Sequence, residues 1–190
     1  MNSYTKAHSL QIIDKFEKKL VPKFSFFEKK DFLKNKLKII KKIKKKFNTD
    51  IIIRSSAINE DSKKKSNAGF YDSYIVRKEN FNNIEIKIIK LIEKFKNSKD
   101  QILIQEFVKN PEIAGVIFSK DKNTNSHYYD INYDESGKSD LVTSGKFNPT
   151  IKSLIVYKES KKIPKLFKQL INVTDNLEKL FNNDRLDIEF

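Results

Sequence analysis

The chain contains no cysteine and no tryptophan, only four glycines and four prolines, and three arginines beside 36 lysines. Without cysteine, neither a disulfide framework nor a thiolate metal site can form. No stretch approaches the roughly 18 consecutive apolar residues that a membrane span needs. The opening segment MNSYTKAHSLQIIDKFEKK scatters charges among its apolar positions and lacks a continuous hydrophobic region, so it does not read as a signal peptide. The default location is therefore the cytoplasm. There is no GxxxxGK[ST] loop and no GxGxxG, so neither common phosphate-binding turn is signalled. His8 and His127 have no partner spacing that suggests a metal site or a triad, and each reads as an ordinary histidine.

What is present is mostly lysine. The formal net charge is +14 over 190 residues, enough chain for one ordinary domain or two small lobes. Such a charge invites a nucleic-acid reading. The excess, however, travels with abundant isoleucine and asparagine and almost no arginine, the residue best suited to bidentate phosphate contacts. In LKNKLKIIKKIKKKF, apolar residues recur at Leu33, Leu37, Ile40, Ile43 and Phe47, which is helical spacing. The lysines then form the wet face of an amphipathic helix and the charge is compositional. A basic module that binds nucleic acid or another polyanion stays as the alternative.

The chain alternates its periodicities. Helices are expected over 6–19, with Leu10, Ile13, Phe16 and Leu20 on one face; over the lysine-rich segment up to Phe47; over 82–96; and from about Pro164, with Leu166, Phe167, Leu170, Ile171 and Leu177. Strands are expected at 24–27, 51–53, 101–108, 113–120, near 127–133, 140–146 and 151–157, and in the closing RLDIEF. Residues 56–69 read as loop, and Lys109-Asn110-Pro111-Glu112 as a turn. The fold class expected is α+β in two lobes, roughly 1–97 and 98–190, with mixed or antiparallel sheets.

In so glycine-poor a chain, each glycine is expected where a side chain would interfere. Gly69, Gly115, Gly137 and Gly145 lie in NAGFYDSY, IAGVIF, DESGKSD and TSGKFNP. Together with IIIRSSAINEDS, their order resembles a known family. IIIRSSAINEDS followed by NAGFYDSY resembles V-R-S-S-A-x-x-E-D followed by A-G-x-x-x-[ST] of phosphoenolpyruvate synthase and pyruvate phosphate dikinase. In the same order TKAHSLQII resembles G-G-K-G-A-N-L, and LVPKFSFF resembles V-P-P-G-F-x-[IV]-T. QILIQEFV resembles V-x-V-Q-x-M-V, IAGVIFSK resembles x-S-G-V-x-F-T, SGKFNP resembles S-G-x-V-x-P, and LDIEF resembles Q-D-I-E-[WF]. The resemblance spans essentially the whole chain, and RSSAxxED is its most specific piece.

The resemblance implies an ATP-grasp type fold, in which two α+β lobes hold ATP, with Mg2+ as the metal. Lys6 and Arg54 match the family's phosphate-contacting lysine and arginine, and Arg54 would clamp the transferring phosphoryl group from a rigid strand. An ion pair with Glu60 or Asp61 is the plainer role for Arg54. Gln105, Glu106, Phe107 and Val108 match the segment that reads adenine. Asp187 and Glu189 match metal ligands; at i and i+2 of a strand they share a face, and two carboxylates beside phosphate oxygens suit Mg2+. Thr5 and Ala7 stand where the family has glycines around its lysine, and Gly137-Lys138-Ser139-Asp140 replaces its G-L-G-E. The implied reaction of an intact enzyme passes a phosphoryl group from ATP to a histidine on another domain and then to a small acceptor. That phosphohistidine domain and the acceptor-binding domain would come from a longer protein or a separate chain.

Overall fold

The computed structural model describes residues 4–57, 73–121, 124–136 and 150–190. Its elements are helix α1 (Lys6–Phe16), strand β1 (Phe24–Glu28), helix α2 (Lys29–Lys46), strands β2 (Ile51–Ser56) and β3 (Tyr74–Val76), a 3-10 turn (Lys78–Asn83) and helix α3 (Ile84–Lys94). Strands β4 (Gln101–Glu106), β5 (Ala114–Phe118), β6 (Tyr128–Asp134) and β7 (Lys152–Tyr157) follow, then helix α4 (Lys165–Phe181) and strand β8 (Asp187–Glu189). The class is α+β, as expected, with two four-stranded antiparallel sheets ordered β1-β4-β2-β3 and β7-β6-β5-β8. The chain divides into two units, Met1–Val108 and Lys109–Phe190. Gly69, Gly137, Gly145, Glu60, Asp61, the loop over most of 56–69 and the strand expected at 140–146 lie outside the described residues.

The division falls after Val108 rather than at 97 because β4 pairs with both β1 and β2, in the middle of the first sheet. In that unit Ile51, Ile53, Ile102, Ile104 and Val76 project from one sheet face onto α2 and α3. There they meet Phe32, Ile43, Ile84, Ile88 and Leu91 in one buried cluster. Full burial of one such side chain is worth roughly 1.5–3 kcal/mol. The β-branched run 51–53 thus does what a half-buried strand must, aiming alternate residues at the core.

Three helix expectations change. Helix α1 stops at Phe16, where Glu17 turns extended, so Leu20 falls beyond it. In α2, Leu33 and Leu37 are 65% and 72% exposed, and Phe32 takes the core position, stacked on Phe27 at 5.7 Å. Asn35 leaves helical geometry (φ −132°, ψ 35°) and offsets the turns before it from those after, which breaks the regular 33–37–40 stripe. In α4, Pro164 is the N-cap, Leu166 is exposed, and Phe167, Ile171, Thr174 and Leu177 face inward. Asn182 closes α4 in a left-handed conformation (φ 46°), with Asn183 N donating to Glu178 O at 3.0 Å.

In the second unit α4 covers one face of the sheet, where Ile117, Tyr129, Ile131, Val156, Phe167 and Ile171 form the core. Gly115 is required there. A Cβ at this position would lie 2.3 Å from the Asn132 carbonyl oxygen and 2.8 Å from the Phe190 ring.

Candidate functional site

The first unit's sheet has a second face, opposite its helices. Strand register places Arg54 there, paired with Leu103, between the pairs Ile52–Gln105 and Ser56–Gln101. Phe24 and Phe26 on β1 share this face through their pairing with Gln105 and Leu103. Arg54 is therefore carried by an interior strand that pairs with β4 over Ile51–Ser56 and with β3 over Ile51–Ile53, so Arg54 itself is paired with Leu103 of β4, one residue beyond the last β3 pair.

Helix α1 packs its start against the same face. Thr5 caps the helix, its hydroxyl accepting from His8 N at 3.3 Å and donating to Gln101 Oε1 at 2.7 Å. Ala7 N donates to Ser56 Oγ at 2.9 Å. Lys6 sits between these two anchors, and Ser56 is two residues along β2 from Arg54 on the same face. The backbone positions of Lys6 and Arg54, remote in sequence, thereby lie toward the same end of this sheet face. Thr5 and Ala7, on either side of Lys6, are a buried cap and a fully buried methyl. Thr5 and His8, to which sequence reading gave no site role, and Ser56 and Gln101, which it did not single out, build this corner.

Gln105–Val108 closes the first unit. Gln105 is buried on the Arg54 face, whereas Glu106 lies on the other and accepts from Thr49 Oγ1 at 2.7 Å. The Glu106 amide donates to Lys23 O at 2.8 Å and the Phe107 amide to Asp50 O at 2.9 Å. Val108 is 51% exposed. The segment is thus a fixed sheet end rather than a loose linker.

Asp187 and Glu189 belong to the second unit. Both are exposed on one face of β8, paired with Phe118 and Val116, while Ile188 between them joins the core on the other. Strand β8 is pinned at both ends. At one end Gly115 and Phe190 exchange two backbone hydrogen bonds of 3.0 Å. At the other, the buried Ser119 hydroxyl donates to Asp184 O at 3.0 Å and accepts from Leu186 N at 2.8 Å. Lys120 reaches Asp184 at 2.6 Å, and that hydrogen bond holds the Asp184 carboxyl below its usual range. Among the described residues no group of three acidic, histidine or cysteine side chains gathers as a metal cage. As hard oxygen donors on one face, the two β8 carboxylates have the donor chemistry that suits Mg2+. Among the described residues, no helix is long and apolar enough to cross a membrane.

No protein-family model and no curated protein matches the chain. Among solved structures, the chain is similar to D-alanyl-alanine synthetase A from Vibrio cholerae O1 biovar eltor str. N16961, with 19% identity and a TM-score of 0.49. The match covers 100% of this chain and 51% of that one, so the chain spans about half the length of that protein.

Proposed function

We propose that this chain is an ATP-grasp-like nucleotide-binding domain, in which Lys6 and Arg54 hold phosphates of Mg-ATP. The observation that carries this reading is the corner where side-chain hydrogen bonds tie the first turn of α1, and so Lys6, to the strand face of Arg54. A triphosphate needs fixed cations, and an arginine on an interior strand is a planar, multi-donor group that loses little freedom on binding. Gln105–Val108 would take the base. With the Glu106 and Phe107 amides engaged, the base would meet the side chains of this segment and the Val108 amide. In the second unit, Asp187 and Glu189 would be the carboxylates that take Mg2+.

The finer reading is a phosphotransferase of the phosphoenolpyruvate synthase kind. Its phosphoryl group would pass to a histidine on another domain or chain and then to a small acceptor such as pyruvate or an amide. The ordered motif resemblance supports this, and the acceptor's identity would lie with the acceptor-binding domain. The competing reading, a basic module for polyanions, draws on Lys34, Lys38, Lys41 and Lys45, all exposed on the outer side of α2.

Isothermal titration of the full chain with Mg-ATP separates the two. A charge-assisted hydrogen bond is worth about 1.5–3 kcal/mol, so Lys6→Ala and Arg54→Ala should each weaken binding by roughly ten- to a hundred-fold. Absence of ATP binding by a folded chain, together with steeply salt-dependent binding to RNA or DNA, would replace this reading with the polyanion one.

A further inference from the structure

Gln101 occupies a position where the pattern of its strand calls for an apolar residue. It opens β4, is 4% exposed, and lies opposite the fully buried Ser56. Burying a carboxamide and a hydroxyl is costly unless every group finds a partner. Here they do, in one connected set. The Thr5 and Ser56 hydroxyls each accept a first-turn amide of α1, from His8 and Ala7. Each then has its own proton left, and both donate to the same Gln101 Oε1, at 2.7 and 3.5 Å. The Gln101 carboxamide nitrogen lies 3.2 Å from His8 Nε2. As the nitrogen is the donor, His8 accepts at Nε2 and carries its proton on Nδ1. The His8 ring is set edge-on to Phe26, with centroids 5.6 Å apart.

We infer that Gln101, acting with Ser56, is a positioning residue that fixes the first turn of α1, and with it Lys6, against the strand face that carries Arg54. The inference deepens the nucleotide reading and rests on it for the role of Lys6. The physical reason is that a helix start leaves its first amides without intrahelical partners, free to be satisfied by water in many orientations. Satisfying one of them with Ser56 of the sheet, and another with the cap Thr5 that is itself tied to Gln101 of the sheet, selects one orientation. Lys6 lies between the two anchored positions, so its long side chain starts from a fixed base and less freedom is lost when it meets a phosphate. Leucine at position 101 would keep the volume and remove the three contacts of the carboxamide, with Thr5, Ser56 and His8, leaving the hydroxyls that accept the two amides without their own anchor.

The test uses the full chain, with Mg-mant-ATP and mant-adenosine as fluorescent probes, and amide exchange at Ala7 measured by NMR without ligand. Gln101→Leu should weaken Mg-mant-ATP by about tenfold while mant-adenosine stays within about twofold, because the lost term acts on phosphate. The double variant Lys6→Ala/Gln101→Leu should bind no more weakly than Lys6→Ala within about twofold, since both remove one interaction. Ala7 amide exchange should accelerate by about tenfold or more as its tether loosens. Equal loss for both probes would show a merely structural role and overturn the inference. So would additive losses in the double variant, unchanged Mg-mant-ATP binding, or unchanged exchange at Ala7. Should Gln101→Leu not fold, Ser56→Ala deletes the direct tether with a smaller change, and the same outcomes decide. A wild-type chain that binds neither probe would end the nucleotide reading, and Ala7 exchange would still decide whether Gln101 and Ser56 anchor the turn.

Discussion

At the scale of single residues, buried polar groups report most about this chain. Tyr129 is 3% exposed on β6, its hydroxyl donating to Asp175 of α4. Burial first, and then that hydrogen bond and the charges of Asp175 and Glu178, push the Tyr129 hydroxyl well above its usual range. Lys158 stands 4.8 Å over the ring and pairs with Glu178. A raised folded pKa means the fold keeps the proton that the unfolded chain releases above about pH 10. This contribution is complete below the unfolded value and declines as pH rises past it. Urea titrations from pH 8 to 11 should therefore show wild type losing more stability than Tyr129→Phe. At pH 8 the phenylalanine variant should be less stable by about 1 kcal/mol, the usual net worth of a hydrogen bond. Parallel pH profiles for the two proteins would contradict the assignment.

At the scale of elements, α2 separates what is legible in sequence from what is not. Its existence and its end near Phe47 were readable from the apolar recurrence, as was the strand at Ile51–Ile53 from β-branching between turn residues. The shared face of Asp187 and Glu189 follows from strand alternation. Of the expected stripe Ile40, Ile43 and Phe47 do face the core, whereas the inward place of Phe32 in lieu of Leu33 and Leu37 was not readable, because a local kink at Asn35 shifts the register and periodicity alone does not reveal a kink. The place of β4 was hidden for a different reason. Pairing across the order β1-β4-β2-β3 is non-local, and nothing in QILIQE states its neighbours. Gln101 was missed on the same account, since its partners Thr5, Ser56 and His8 come from two other elements. The α2 register itself can be tested. Phe32→Ala should cost about 3–5 kcal/mol, as for other buried phenylalanines, whereas Leu37→Gln should stay within about 0.5 kcal/mol of wild type. Chemical denaturation of both variants decides, and a costly Leu37→Gln would restore the regular stripe.

At the scale of the whole molecule, the two sheets have cores of unequal size. Among the described residues thirteen buried side chains join the first cluster and six the second. The second unit is also the shorter chain segment, and small units bury a smaller fraction of their surface on folding. Conformational entropy is lost at every ordered residue, whereas the apolar gain scales with buried area, so the smaller core leaves the thinner margin. The expected outcome is unfolding in two steps, with Lys109–Phe190 opening at lower urea than Met1–Val108. Tyrosine signals favour the test, because Tyr128, Tyr129, Tyr133 and Tyr157 all lie in the second unit. Near-ultraviolet circular dichroism, to which these four of the seven tyrosines contribute, should begin to change before the far-ultraviolet signal of the first unit's helices. Amide exchange should lose protection in β5, β6 and β7 before β2 and β4. Coincident transitions by both probes would instead mean that the two units unfold as one cooperative body. In that case the larger core would be stabilising the smaller one, and truncation at Val108 would lower the stability of the first unit as well as remove the second.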